Sequence, residues 1–307
     1  MMKVLVIGAG AIGGYVAARM LEAGADVTLL ARGKRKAQLE RDGLIIQSPS
    51  GDFAGRPPVI AWGEPAGPFD MAIIATKAYG LDEALAHMAP YLTTSTAILP
   101  YLNGMRHMEK LAEAFPGQPL LGGVARIEIT LDGDGRVQHL TPFESFTYGR
   151  FRSFDDAHYS ELRIQLSEIQ LFTEKEDIET DMWEKYAYIN VLSGLTTLFQ
   201  APVGDIRDAG AGLDTFRRAF AETNAVISAA GGHLGHALLD KQLRIVSNMS
   251  PGSTSSMLRD MQNGLPTESA HLQGYMIELA HRHGCEVPLL EIILQRLDIY
   301  ERDRVRS

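Results

Sequence analysis

Lys3-Val4-Leu5-Val6-Ile7-Gly8-Ala9-Gly10-Ala11-Ile12-Gly13-Gly14 is the most informative stretch of this chain. Lys3–Ile7 reads as a buried strand and residues 12–23 as a helix, with G-x-G-x-x-G at the turn between them. Gly8 permits the tight turn, Gly10 lets the backbone approach a pyrophosphate, and Gly13 lets the helix pack close to the strand. The helix N-terminus adds unpaired N–H groups and the positive end of a dipole. Ala11 and Ile12 therefore join Gly8, Gly10 and Gly13 as dinucleotide-binding candidates. The motif alone is weak; the strand before it and the helix after it supply its context.

The end of the second strand, Asp26–Leu30, bears on which nicotinamide dinucleotide is used. An acidic residue there binds the ribose 2′-hydroxyl of NAD, whereas an arginine accommodates the 2′-phosphate of NADP. The chain continues Ala31-Arg32-Gly33-Lys34-Arg35-Lys36, four cations and no carboxylate. A planar guanidinium at Arg32 suits phosphate pairing and stacking on adenine, so NADPH is the expected cofactor. Lys36, with Arg35, reads as the solvated start of a helix over 34–42.

Further along, apolar runs at 71–75 and 97–101 read as buried strands separated by a helix over 81–89. Strands alternating with helices imply a parallel sheet covered on both faces. Between 44 and 59 the pattern loosens into an irregular excursion or small hairpin. Alternating residues at 124–130 and 137–148 flank Asp132-Gly133-Asp134-Gly135, a hairpin signal. After Asp177 helical patterns take over, at 182–199, 213–230, 238–246, 269–283 and 288–302. The expected fold is α/β, an N-terminal Rossmann-type doubly wound sheet over 1–176 followed by an all-helical C-terminal domain over 177–307.

Composition narrows the function classes. The 307 residues suit two domains, and 45% hydrophobic with 22% charged residues is ordinary for a globular protein. Lys plus Arg number 29 against 38 Asp plus Glu, and a net charge of −9 disfavours nucleic acid as partner. The single cysteine, Cys285, excludes an internal disulfide and a cysteine-based metal site. The histidine pairs His233 with His236 and His281 with His283 lack accompanying carboxylates or cysteines, so no metal is expected. No apolar run approaches the roughly 18–20 residues that span a bilayer, and the first residues lack a signal-peptide pattern. The expectation is a soluble, cytoplasmic protein without a membrane partner.

Several separated segments together give the chain a likeness. They are Gly8–Gly14 with Arg32; Ala75-Thr76-Lys77; Leu102-Asn103-Gly104-Met105; Trp183-Glu184-Lys185; and Ser255-Ser256-Met257-Leu258-Arg259-Asp260 leading to Thr267-Glu268. In order and spacing they resemble the ketopantoate reductase (2-dehydropantoate 2-reductase) family over nearly the whole length. The resemblance implies NADPH-driven reduction of a 2-keto acid to a 2-hydroxy acid, in a cleft between a Rossmann domain and a helical one. It makes pantothenate biosynthesis the associated pathway and Lys185 the catalytic lysine. A ketone receiving hydride becomes an alkoxide and needs a proton donor or positive charge beside its oxygen, which a lysine supplies. Read alone, Lys185 would be a surface ammonium on a helix.

By the same resemblance Asn103 bridges the nicotinamide ribose and the lysine, which makes it both cofactor-binding and catalytic. Lys77 lies by the cofactor or the substrate carboxylate. Glu268 hydrogen-bonds the substrate hydroxyl, and Ser256 contacts the substrate carboxylate. Each has a plainer role open to it: a turn for Asn103 before Gly104, helix-start solvation for Lys77, capping for Ser256, and support of a helix start for Glu268.

The chain also departs from the family pattern. Asparagines stand four and eight residues after the lysine in ketopantoate reductases; here those positions are Ile189 and Ser193. Asn190 comes one residue later, about 100° further round the helix. A wall with Ile189 and Ser193 is more apolar and smaller, so the substrate is expected to differ from ketopantoate, as another branched or longer 2-keto acid. Two other readings stay open: a non-catalytic NADP(H)-binding sensor or scaffold, and an oxidoreductase acting on an imine or a hydroxy acid. A homodimer through the helical half is also compatible with the sequence.

Overall fold

The computed structural model describes residues 1–152 and 154–306. The chain forms two compact units, one of residues 1–102 with 107–178 and one of residues 103–106 with the stretch from Glu179 onward. Among the described residues no helix is long and apolar enough to cross a membrane.

The first unit begins with β1 (Lys3–Ile7), α1 (Ala11–Glu22), β2 (Asp26–Leu30), α2 (Gly33–Asp42), β3 (Leu44–Gln47), β4 (Phe53–Gly55) and β5 (Val59–Ile60). It continues through β6 (Met71–Ile74), α3 (Leu81–His87), β7 (Ala97–Pro100), α4 (Arg106–Ala114), β8 (Leu120–Leu131), β9 (Val137–Arg152), α5 (Asp156–Ser167) and β10 (Phe172–Glu174). The order β5-β2-β1-β6-β7-β8 is parallel throughout. Val4, Leu5, Val6 and Ile7 are all buried, as is every residue of β6 and β7. Such uninterrupted apolar runs are what a strand covered on both faces requires.

From β1 the chain passes to β2 and β5 on one side, then returns to β6, β7 and β8 on the other. This reversal opens a crevice at the carboxyl ends of β1 and β6, where ligands bind in open α/β sheets. Gly8 follows β1, and Lys77 stands three residues after β6.

Beyond β8 the sheet is mixed, with β8–β9 and β3–β4 antiparallel and β9 parallel to both β3 and β10. β8 and β9 form the hairpin anticipated around Asp132, but far longer, with an irregularity between Ile127 and Ile129. The Asp132 carboxylate accepts the N–H groups of Asp134 and Arg136 at 3.0 and 2.8 Å and so closes the turn. The excursion at 44–59 contains the antiparallel pair β3–β4, and β3 joins β9. α5 and β10 carry no strong periodicity and were not anticipated. α5 starts where the Asp155 carboxylate accepts the His158 N–H.

The second unit holds α6 (Ile178–Phe199), α7 (Val203–Asp208), α8 (Gly212–Ala229), α9 (Leu238–Asn248), α10 (Ser256–Gln262), α11 (Tyr275–His283) and α12 (Pro288–Arg306). α6 runs 22 residues, about 33 Å. Its buried residues include Met182, Trp183, Tyr186, Ala187, Asn190, Val191, Ser193 and Leu195, spread over most of its circumference, as in a core helix.

The single helix expected over 269–283 is instead a π turn, Ala270–Gly274, running into α11. Side-chain bonds hold this wider turn. Tyr186 donates to the Leu272 carbonyl at 2.5 Å, and Gln273 Nε2 donates to the Asn190 carbonyl and the Ser193 hydroxyl at 3.0 and 2.9 Å. Burial pushes the Tyr186 phenol well above its ordinary value, so it stays a donor.

Candidate functional site

The Gly-rich turn has the geometry its residues imply. Gly8 has φ +95°, and a Cβ there would stand 2.8 Å from Thr76 Cγ2, so a side chain is excluded on two counts. A Cβ on Gly13 would lie 2.1 Å from the Gly8 carbonyl oxygen, which is the close strand–helix approach anticipated. Gly10 is different: a Cβ there would meet nothing within 4 Å. Its lack of a side chain leaves open space and answers no packing need, as fits a pyrophosphate cradle. Gly10 is the N-cap of α1 and offers no side-chain cap, and no acidic residue stands in the first turn. No carboxylate of their own turn therefore competes for the N–H groups of Ala11 and Ile12.

Arg32 caps α2 with extended backbone, and its side chain is 62% exposed and ion-paired with Glu83 in the first turn of α3. Arg35 corrects the sequence reading, because it is not a solvated helix-start residue. It is half-buried, donates from Nε to the Ala9 carbonyl at 2.6 Å, and donates from Nη1 to the Gly135 carbonyl and to Gln38 at 2.5 Å each. Burial lowers its pKa. Arg35 thus ties the Gly-rich turn to the β8–β9 turn. Lys36 is ion-paired with Glu40 and Glu64 at 2.5 and 3.7 Å. Lys77 is exposed at the start of a short 3₁₀ turn whose Gly80 N–H returns to the Lys77 carbonyl.

In the second unit Lys185 Nζ donates to Asn103 Oδ1 at 3.0 Å, although 82 positions separate them. Gly104 takes φ +84°, and a Cβ on it would stand 2.9 Å from Leu272, so the residue after Asn103 must be small. Arg106 holds the same segment through an ion pair with Glu278 at 3.3 Å and a guanidinium 5.8 Å above the Tyr275 ring. The W-x-K order has a local reason. Trp183 is buried on α6 with its Nε1 3.4 Å from Glu179, while Lys185 is only half-buried.

Glu268 is 8% exposed, and its carbonyl accepts the His271 and Leu272 N–H groups at 3.0 Å each. The preceding Thr267 is anchored by Glu301 on α12. Ser256 is exposed in the first turn of α10, but the cap is Ser255, whose hydroxyl accepts the Leu258 N–H at 3.0 Å. Capping, a role left open for Ser256, thus falls to its neighbour. Ile189 is half-buried. Ser193 is 5% exposed and donates to the Ile189 carbonyl at 2.6 Å, so its hydroxyl is engaged inside the unit. Asn190 faces α8, with Nδ2 3.3 Å from the Thr223 hydroxyl.

Glu83, Gln273 and Glu301 were not singled out from the sequence, and the tie that Arg35 makes to Ala9 was not foreseen. The partners that tie them into the site, Ala9, Arg32, Asn190 and Thr267, are distant along the chain.

The family described as "Ketopantoate reductase PanE/ApbA" matches residues 4–153, and its C-terminal counterpart matches residues 177–301. An uncharacterized oxidoreductase YkpB of Bacillus subtilis is 38% identical over 304 residues, 99% of this chain and all of that protein. A 2-dehydropantoate 2-reductase of Halobacterium salinarum is 26% identical over 98% of this chain and all of its own length. Among solved structures, a 2-dehydropantoate 2-reductase from Methylococcus capsulatus superposes with a TM-score of 0.88 at 23% identity, covering 100% of this chain and 99% of that one. A D-mandelate dehydrogenase solved with NADH and anilino(oxo)acetate gives 0.89 at 19% identity, covering 99% and 100%. With both halves matched in order, the chain belongs to the ketopantoate reductase family and is an oxidoreductase that acts on CH–OH groups with a nicotinamide dinucleotide.

Proposed function

We propose that this protein reduces a 2-keto acid to the 2-hydroxy acid with NADPH, and that its preferred substrate is a branched or longer keto acid other than ketopantoate. The observation that carries the reading is the Lys185–Asn103 hydrogen bond. It gives the ammonium group, a donor of three protons, a fixed acceptor that orients it. A reduced dinucleotide, when bound, supplies the hydride. Lys185 stabilises the negative charge that develops on the carbonyl oxygen and delivers a proton to it. Asn103 orients that amine. Glu268, a buried carboxylate, accepts the hydroxyl hydrogen bond of the product. Lys77 and Ser256, both exposed, are the candidates for the acid's carboxylate. On the cofactor side, Gly8, Gly10, Ala11, Ile12 and Gly13 cradle the pyrophosphate, and Arg32 takes the 2′-phosphate.

Substrate choice follows from α6. Ile189 presents hydrocarbon where the family pattern has an amide, and the Ser193 hydroxyl is already committed to Ile189 and Gln273. Neither side chain offers a free amide to a substrate hydroxyl, so the strong selectivity that such bonds give is missing.

NADPH oxidation should be followed with ketopantoate and with straight, branched and aromatic 2-keto acids. An aromatic acid is included because this fold also carries a D-mandelate dehydrogenase. A keto acid other than ketopantoate is expected to give the highest kcat/KM. Lys185→Met is expected to lower kcat by about 10²–10⁴-fold while leaving the NADPH Kd little changed. Clear preference for ketopantoate defeats the altered-substrate reading, and tight NADPH binding without turnover of any acid favours a sensor.

A further inference from the structure

The Arg32–Glu83 ion pair joins the two sides of the chain reversal in the first unit. Arg32 follows β2, on one side of β1, and Glu83 stands in the helix that follows β6, on the other. The pair is open to solvent, with side chains 62% and 33% exposed, so a ligand reaching the guanidinium meets the carboxylate as well. Neighbouring Asp82 is engaged by Lys110 at 2.5 Å, which leaves Glu83 as the acid of that turn directed at Arg32.

We propose that Glu83 is a built-in competitor for the cofactor's 2′-phosphate and sets how strongly the protein prefers NADPH over NADH. The inference rests on the reading of Arg32 as the phosphate-binding residue. A phosphate monoester carries about −1.5 to −2 charge and must take the guanidinium from a carboxylate that also repels it. A 2′-hydroxyl imposes no such exchange and can donate to the carboxylate, as it donates to the acidic residue that ends the second strand in NAD-binding sheets. Glu83 therefore penalises NADPH selectively and narrows the preference that Arg32 creates. As an exposed charge effect, the penalty weakens as salt rises.

The test is calorimetric measurement of Kd for NADPH and NADH, without substrate, at low and high ionic strength. Wild type is compared with Glu83→Gln, Glu83→Ala, Arg32→Ala and the Arg32→Ala/Glu83→Gln double variant. Both Glu83 variants are expected to tighten NADPH by roughly fivefold at low salt, with NADH unchanged or weakened. The gain should shrink at high salt and vanish in the double variant. Melting curves of the free proteins verify that each variant is folded, and agreement between Gln and Ala separates charge from helix effects. An unchanged or lower NADPH-to-NADH preference in both Glu83 variants, with Arg32→Ala still losing NADPH affinity, overturns the role of Glu83 alone. If Arg32→Ala leaves NADPH binding intact, the phosphate-binding reading fails and the competitor fails with it.

Discussion

Glu301 shows how one carboxylate can hold a candidate site residue in place without touching a substrate. It accepts both the N–H and the hydroxyl of Thr267 at 2.7 Å and receives two bonds from Arg304 at 2.9 and 2.8 Å. Burial alone would raise its pKa, but the bonds from Thr267 and Arg304 outweigh it, and the folded carboxyl titrates below its ordinary value. A depressed folded pKa means that the stabilisation is complete above the unfolded value, about 4.3. It is lost as pH falls through the folded pKa. Glu301→Gln should cost about 1–2 kcal/mol at neutral pH and flatten the loss of stability below about pH 4.3, as read by urea unfolding across pH. An acid limb unchanged from wild type would show that Glu301 does not carry this linkage. Lys185, Asn103 and Glu268 could be named beforehand because the family pattern marks them. Glu301 could not, since Thr267 lies 34 residues away and the pairing with Arg304 reads as an ordinary helix end.

Among the elements, the strand–turn–helix at the N-terminus separates fold from function within six residues. Gly13 serves packing, as its Cβ would collide with the Gly8 carbonyl, whereas the open space at Gly10 answers no packing need and is where the proposed pyrophosphate would approach. Gly13→Ala should therefore destabilise the protein by about 1–3 kcal/mol or more. Gly10→Ala should melt like wild type yet bind NADPH much more weakly, because a methyl group occupies the pyrophosphate's approach. Thermal melting and calorimetry on the two variants check this, and a Gly10→Ala protein with undiminished affinity would remove Gly10 from the cradle. β1, β6 and β7 were legible because a strand covered on both faces is a nearly unbroken apolar run. α5, β10 and the π turn were not. The first lacks a sustained stripe, the second has three residues, and the third depends on Tyr186 and Gln273 bonding between α6 and the turn.

For the whole molecule, the division into two compact units gives cofactor binding a distinct thermodynamic signature. The residues proposed to cradle the dinucleotide belong to the first unit, so NADPH at a hundred times its Kd should stabilise that unit by about 2.7 kcal/mol. Scanning calorimetry should show a larger upward shift with NADPH than with NADH at equal concentration. Equal shifts would contradict the assignment of Arg32 to the 2′-phosphate.

Hydrophobic periodicity and glycine spacing specified the parallel sheet, the tight strand–turn–helix at its start and the helical second half. All three are local: a strand, a turn or a helix answers to residues a few positions apart. The pairing of Arg32 with Glu83, the anchoring of Ala9 by Arg35 and the anchoring of Thr267 by Glu301 belong to the folded chain. A charged or amide side chain takes whichever partner packing brings within about 3 Å, and a linear pattern does not encode that choice.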